Sequence, residues 1–113
     1  MFNSSANMYT RVSTLGDSKQ LSVRAIESVK LYLDDLVNEQ IEWTKRCEAG
    51  FNAVTLLSAV SQNIRDEIGE EEQVILIKIF GQIIKNTNKY IRKEIGSLEK
   101  EFAGLRLILK LIS

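Results

Sequence analysis

The chain has 113 residues, a length suited to one domain. Fifteen basic and fifteen acidic side chains cancel, so no global field points to nucleic acid or to an anionic membrane. Histidine and proline are absent and cysteine occurs once, which excludes a histidine base, a His-containing zinc site and an intramolecular disulfide, and removes the usual helix breaker.

Residues 1–16 are rich in Ser, Asn and Thr, with Phe2, Met8, Tyr9, Val12 and Leu15 at no sustained period. This composition reads as a flexible N-terminal tail ahead of a single helical domain at 17–113. Asp17 or Ser18 can cap the first helix, and Asp17 with Gln20 has capping-box spacing.

From Ile26 an apolar stripe runs through Val29, Leu33, Leu36, Gln40, Trp43, Cys47, Gly50, Val54, Leu57, Ser61, Ile64 and Ile68 in alternating steps of three and four. That spacing keeps one helix face against a partner helix. The stripe crosses Gly50 in phase, which favours a continuous helix; the alternative is a three-helix bundle with a turn at 49–52, where Asn52 could cap a new helix. Gln40, Ser61 and Thr87 are the polar seam positions, and Gln40 can fix register or partner choice. Cys47 on the seam reads as a small buried apolar residue.

Past Ile68 the register fails. Gly69 follows, suited to the left-handed residue after a helix end, and Glu70, Glu71 and Glu72 suit the first turn of the next helix. The bend of the chain is therefore placed near Gly69. Beyond it a second stripe runs through Ile77, Phe80, Ile84, Thr87, Ile91, Ile95, Leu98, Phe102, Leu105, Leu109 and Ile112, with one doubled step of four between Ile91 and Ile95. A doubled step locally unwinds a supercoil, and Gly96 with Ser97 offers a kink. An unbroken helix of this length spans roughly 60 Å.

The two stripes predict an all-α fold, a long antiparallel helical hairpin of coiled-coil type that associates further into a bundle. Folding at Gly69 sets Gly50 opposite Ile91, Trp43 opposite Leu98 and Leu36 opposite Leu105. The same register brings Glu48 near Lys93 and Asp35 near Arg106. The charges are sorted along the chain. Residues 27–72 carry eleven acidic and four basic side chains, whereas 74–113 carry eight basic and three acidic, so an acidic helix pairs with a basic one. The sharper alternative is a phosphate-facing edge of Lys85, Lys89, Arg92 and Lys93.

Two helices cannot cover all the apolar surface. Leu76, Ile79, Ile83 and Tyr90 widen the face near the bend, Val37, Ile41, Leu56 and Val60 do so on the first helix, and Leu31, Leu107 and Leu111 point away from the seam at the open end. All of these but Leu56 and Val60 are the expected partner-binding set. The partner is another helical protein or a second copy, and nucleic acid is not favoured.

No P-loop, dinucleotide-binding glycine motif or calcium loop occurs, so no catalytic, cofactor or metal residue is assigned and an enzyme is not expected. No run of about eighteen apolar residues could span a membrane, and the start lacks the order of a secretory signal. Folding in the cytoplasm is expected, with any export by a route that uses no cleavable signal. The expected function is that of a small assembly subunit, adaptor or chaperone. In size, loose leader and apolar end at 105–112 the chain resembles the small helical chaperones and structural subunits of bacterial type III secretion systems, a likeness of architecture and not of motif. Two other classes stay open: a regulator linked to nucleic acid through the basic second helix, and a phage or bacterial inhibitor or immunity-type protein.

Overall fold

The computed structural model describes residues 15–113. They form four helices, α1 at Leu15–Val37, α2 at Trp43–Asn63, α3 at Glu70–Ile91 and α4 at Glu99–Ile112, with a 3-10 turn at Ile64–Glu67 after α2. The all-α expectation holds. The tail expected at 1–16 lies outside the described residues except for Leu15 and Gly16, which open α1. Asp17 and Ser18 thus stand inside that helix and do not cap it.

Each of the two expected long helices is broken once, and neither break is at Gly50. The first falls at 38–42. Asn38 folds its side chain back so that Oδ1 accepts the Gln40 amide at 2.9 Å, a local bond that competes with helix continuation. Gln40, expected on the seam, is exposed in this turn. The carbonyl of Leu36, orphaned at the end of α1, accepts Arg46 Nε from α2 at 2.8 Å.

The second break follows α3. The Glu94 amide donates to the Lys89 carbonyl at 2.8 Å and the Lys93 amide to the Tyr90 carbonyl at 2.9 Å, the paired closure that ends a helix on a left-handed residue. That residue is Lys93, at φ 61°. Ser97 Oγ then accepts the Glu99 amide at 3.2 Å as α4 begins. The doubled step between Ile91 and Ile95 is therefore the end of a helix. The longest dimension, 43 Å, is well short of what an unbroken second helix needs.

The bend near Gly69 is present, with a different local geometry. Gly69 is extended at φ −70° and ψ 162°, serving as the residue before α3, and among the described residues no glycine has positive φ. Ile64–Glu67 tightens the end of α2 instead. The Gln73 side chain ties the corner by donating to the carbonyls of Arg65 and Ile68. Glu70, Glu71 and Glu72 fill the first turn of α3 as the macrodipole favours.

The helices close into a ring of neighbours, with α1 against α2, α2 against α3, α3 against α4 and α4 against α1. All four feed one core: Ile26, Val29, Leu33 and Leu36 from α1; Ala53, Leu57 and Val60 from α2; Leu76, Phe80 and Ile83 from α3; Leu105, Ile108 and Ile112 from α4. Gly50 lets α2 sit close. A Cβ there would come within 2.7 Å of Ile91 Cδ1 and 3.1 Å of Leu36 Cδ2, so the expected pairing of Gly50 with Ile91 is realised. The expected ion pairs are not: among the described residues the one salt bridge joins Arg92 to Glu94 at 2.9 Å.

Candidate functional site

Two concave regions carry the chemistry of the surface. The first is a groove between α3 and α4. Ile79, Gln82, Ile83 and Asn86 line it from α3, and Lys100, Glu101 and Gly104 from α4, around a cavity of about 310 Å³. Gly104 brings the helices together, since a Cβ on it would stand 3.2 Å from Ile79 Cγ2 and 3.4 Å from Ile83 Cδ1. Helical spacing extends both walls. Ile75 lies one turn before Ile79 on α3, while Leu107 and Leu111 follow Gly104 at three and seven residues on α4. Ile75 and Leu107 are 46% and 44% exposed, a half-open rim to an apolar trough.

At the α4 end of this groove Glu101 is buried, and its Oε2 accepts Asn86 Nδ2 at 2.5 Å. It belongs to the first turn of α4, where the helix dipole favours a carboxylate. No basic side chain lies within salt-bridge distance of it among the described residues. A buried carboxylate with one amide donor has acceptor capacity to spare.

The expected partner-binding residues divide between this groove and other places. Ile79 lines the groove, and Leu107 and Leu111 continue its wall. Leu76 and Ile83 are 1% and 2% exposed and pack in the intramolecular core, with Ile83 also among the residues lining the groove, because a two-helix hairpin leaves them open whereas folding α4 back onto α3 covers them. Val37 is half-buried and packs against the core at the end of α1. Ile41 lines a shallow depression with Tyr32, Asp35, Lys45, Glu48, Ala49 and Asn52. Leu31 is 66% exposed on α1. Tyr90 stands at the other end of α3, in the second concave region.

That region is the corner where α2 begins and α3 ends. Trp43, Arg46, Tyr90, Lys93, Ile95 and Gly96 line a shallow, open depression of about 300 Å³. The Trp43 and Tyr90 rings are 6.4 Å apart between centroids and tilted by 33°. The Arg46 guanidinium carbon sits 4.9 Å, and the Lys93 ammonium 4.8 Å, from the Trp43 ring centroid, both inside cation–π range. Arg46 also reaches the Tyr90 hydroxyl at 3.4 Å. Trp43, expected as a seam anchor opposite Leu98, is half-buried at this corner instead.

Of the alternative basic edge Lys85, Lys89, Arg92 and Lys93, the last two are engaged at this turn. Arg92 is held by Glu94 through two hydrogen bonds. This contact, aided by the Coulombic attraction of Arg92 and of Lys89, draws the Glu94 carboxyl below its ordinary range and raises Arg92 above its own. Lys93 reaches over the Trp43 ring.

The groove and the corner were missed as units because each combines residues far apart in sequence. Gly104 and Glu101 gave local signals, a helix-interior glycine and a charged residue one step from the apolar stripe. Lys93 gave a signal only as part of a basic run on the second helix, and Arg46 gave none. Among the described residues no helix is long and apolar enough to cross a membrane. The class defined by these features is an all-α protein of four helices closed around one core. The chain matches no family model, no curated protein and no solved structure.

Proposed function

We propose that the protein is a non-catalytic interaction module that takes an amphipathic helix of another protein into the α3–α4 groove. The observation that carries this reading is the apolar rim of Ile75, Ile79, Leu107 and Leu111 left beside a closed core. An exposed apolar stripe of this kind marks an interaction site, and a trough between two helices is the shape that accepts a third. A groove set against a copy of itself across a two-fold axis leaves a void. The occupant is therefore convex, and a partner helix fits better than a second copy. Glu101 selects within that class. Its carboxylate favours a helix with Lys or Arg among its apolar anchors, because a buried charge gains most from an opposite charge.

The test is selection from a displayed library of amphipathic helical peptides against the full-length chain. Enriched sequences carry a basic residue between apolar anchors. Their binding weakens at least about tenfold in Leu107→Asp, the loss of a central apolar anchor, while the half-exposed position leaves thermal stability nearly unchanged. Peptides indifferent to Leu107→Asp and Ile75→Asp overturn the reading, and so does a stable dimer by light scattering that the same substitutions dissociate, which gives the groove to a second copy.

A further inference from the structure

We infer that the Trp43 corner is a binding site for a small organic phosphate, with Arg46 and Lys93 taking the anion and the aromatic wall taking the organic part. This site is separate from the groove and stands independently of it.

Two cations converge on one indole, and neither has a carboxylate within salt-bridge distance among the described residues. Arg46 is already immobilised: its Nε is spent on the Leu36 carbonyl, and its other end leans on the Tyr90 hydroxyl. A guanidinium held this way has lost its freedom before any ligand arrives, so less is lost on binding. Lys93 closes α3 in the left-handed region, and from that turn its ammonium reaches over the Trp43 ring.

The remaining surface is apolar and flat. Tyr90, Ile95 and the tilted Trp43 ring face a space of about 300 Å³, the lower end of the range for small-molecule sites. Gly96 lies at the open side, with nothing within 4 Å of where its Cβ would be. Phosphate fits the donors better than a carboxylate does. Its three equivalent oxygens can engage a planar guanidinium and a separate point charge together, whereas a carboxylate is best matched by one fork.

Trp43 is the sole tryptophan, so its fluorescence reports this corner alone. The full-length chain is titrated with phenyl phosphate, inorganic phosphate and phenol at constant ionic strength held by chloride. Phenyl phosphate gives a saturable change at lower concentration than inorganic phosphate, and phenol gives none. Arg46→Gln and Lys93→Gly each weaken phenyl phosphate by about tenfold, the size expected for one charge-assisted contact. Arg46→Gln also removes a structural bond, whereas Lys93→Gly places glycine at a left-handed position and preserves the fold. No saturable change overturns the inference. Phenyl phosphate affinity unchanged in Lys93→Gly does the same, as does inorganic phosphate binding as tightly as the ester, which leaves the aromatic wall without a role.

Discussion

Thr87 is the residue whose surroundings and chemistry disagree most. It is 1% exposed on α3, and its Oγ1 has no hydrogen-bond partner. A buried hydroxyl without a partner costs about 1–3 kcal/mol in proteins, and valine has nearly the same shape. Thr87→Val is therefore expected to raise unfolding free energy by about 1 kcal/mol in urea denaturation. At the surface, the Arg92–Glu94 pair acts through pH. Because Glu94 has its folded carboxyl lowered chiefly by the hydrogen bond from Arg92, its small contribution is present above the ordinary glutamate range and is lost as pH falls through the lowered value. Glu94→Gln should flatten that acid-side slope and leave stability at neutral pH almost unchanged, since both side chains are about half exposed.

The two helix breaks are where local chemistry overrides periodicity. Asn38 supplies the first. Replacing it removes the side-chain acceptor for the Gln40 amide, and Asn38→Ala should cost about 1 kcal/mol, the usual value of one such bond. Within α2, Gly50 answers a packing demand. Leucine would favour the helix but would meet Ile91 and Leu36, so Gly50→Leu should destabilise by about 2 kcal/mol through overpacking. Gly81 is the opposite case on α3, exposed with nothing within 4 Å of a would-be Cβ. There Gly81→Ala should add about 0.5–1 kcal/mol of stability by helix propensity alone. Thermal melts of the two glycine variants, moving in opposite directions, test both statements together.

At the scale of the molecule, folding each arm once more changes which surface is left for a partner. A two-helix hairpin needs another pair of helices to cover its apolar faces; the breaks at 38–42 and 92–98 let the chain cover most of them itself. Leu105 shows this dependence, being fully buried on α4 in the core that all four helices share. Leu105→Ala should cost about 2–5 kcal/mol, read as one cooperative loss of helical signal. The apolar surface that remains is spread over the four helices, with Leu21 and Leu31 on α1, Phe51 on α2, Val74, Ile75 and Ile77 on α3 and Leu107 on α4; Ile75 and Leu107 are the part of it beside the α3–α4 groove.

Period and composition by themselves determined that the chain is helical, that α1 buries Ile26, Val29, Leu33 and Leu36, that the chain turns near Gly69, and that Gly50 meets Ile91. The first three follow from spacing and turn chemistry along the chain, and the last from a size match between two stripes folded at Gly69. Only the tertiary structure decided the rest. Beyond the first break Leu57, Ile64, Phe80, Leu105 and Ile112 stay buried as the stripes require, but at intervening positions the buried residue moves by one, so Ala53 and Val60 replace Val54 and Ser61, Leu76 and Ile83 replace Ile77 and Ile84, and Ile108 replaces Leu109. The cause is that each helix packs on two neighbours at once, and its inward direction is set between them and not by a single seam. Asn38 and Lys93 break helices through hydrogen bonds that cost the stripe nothing in phase, so periodicity could not register them. The groove and the Trp43 corner exist because those breaks bring α4 onto α3 and the start of α2 onto the end of α3.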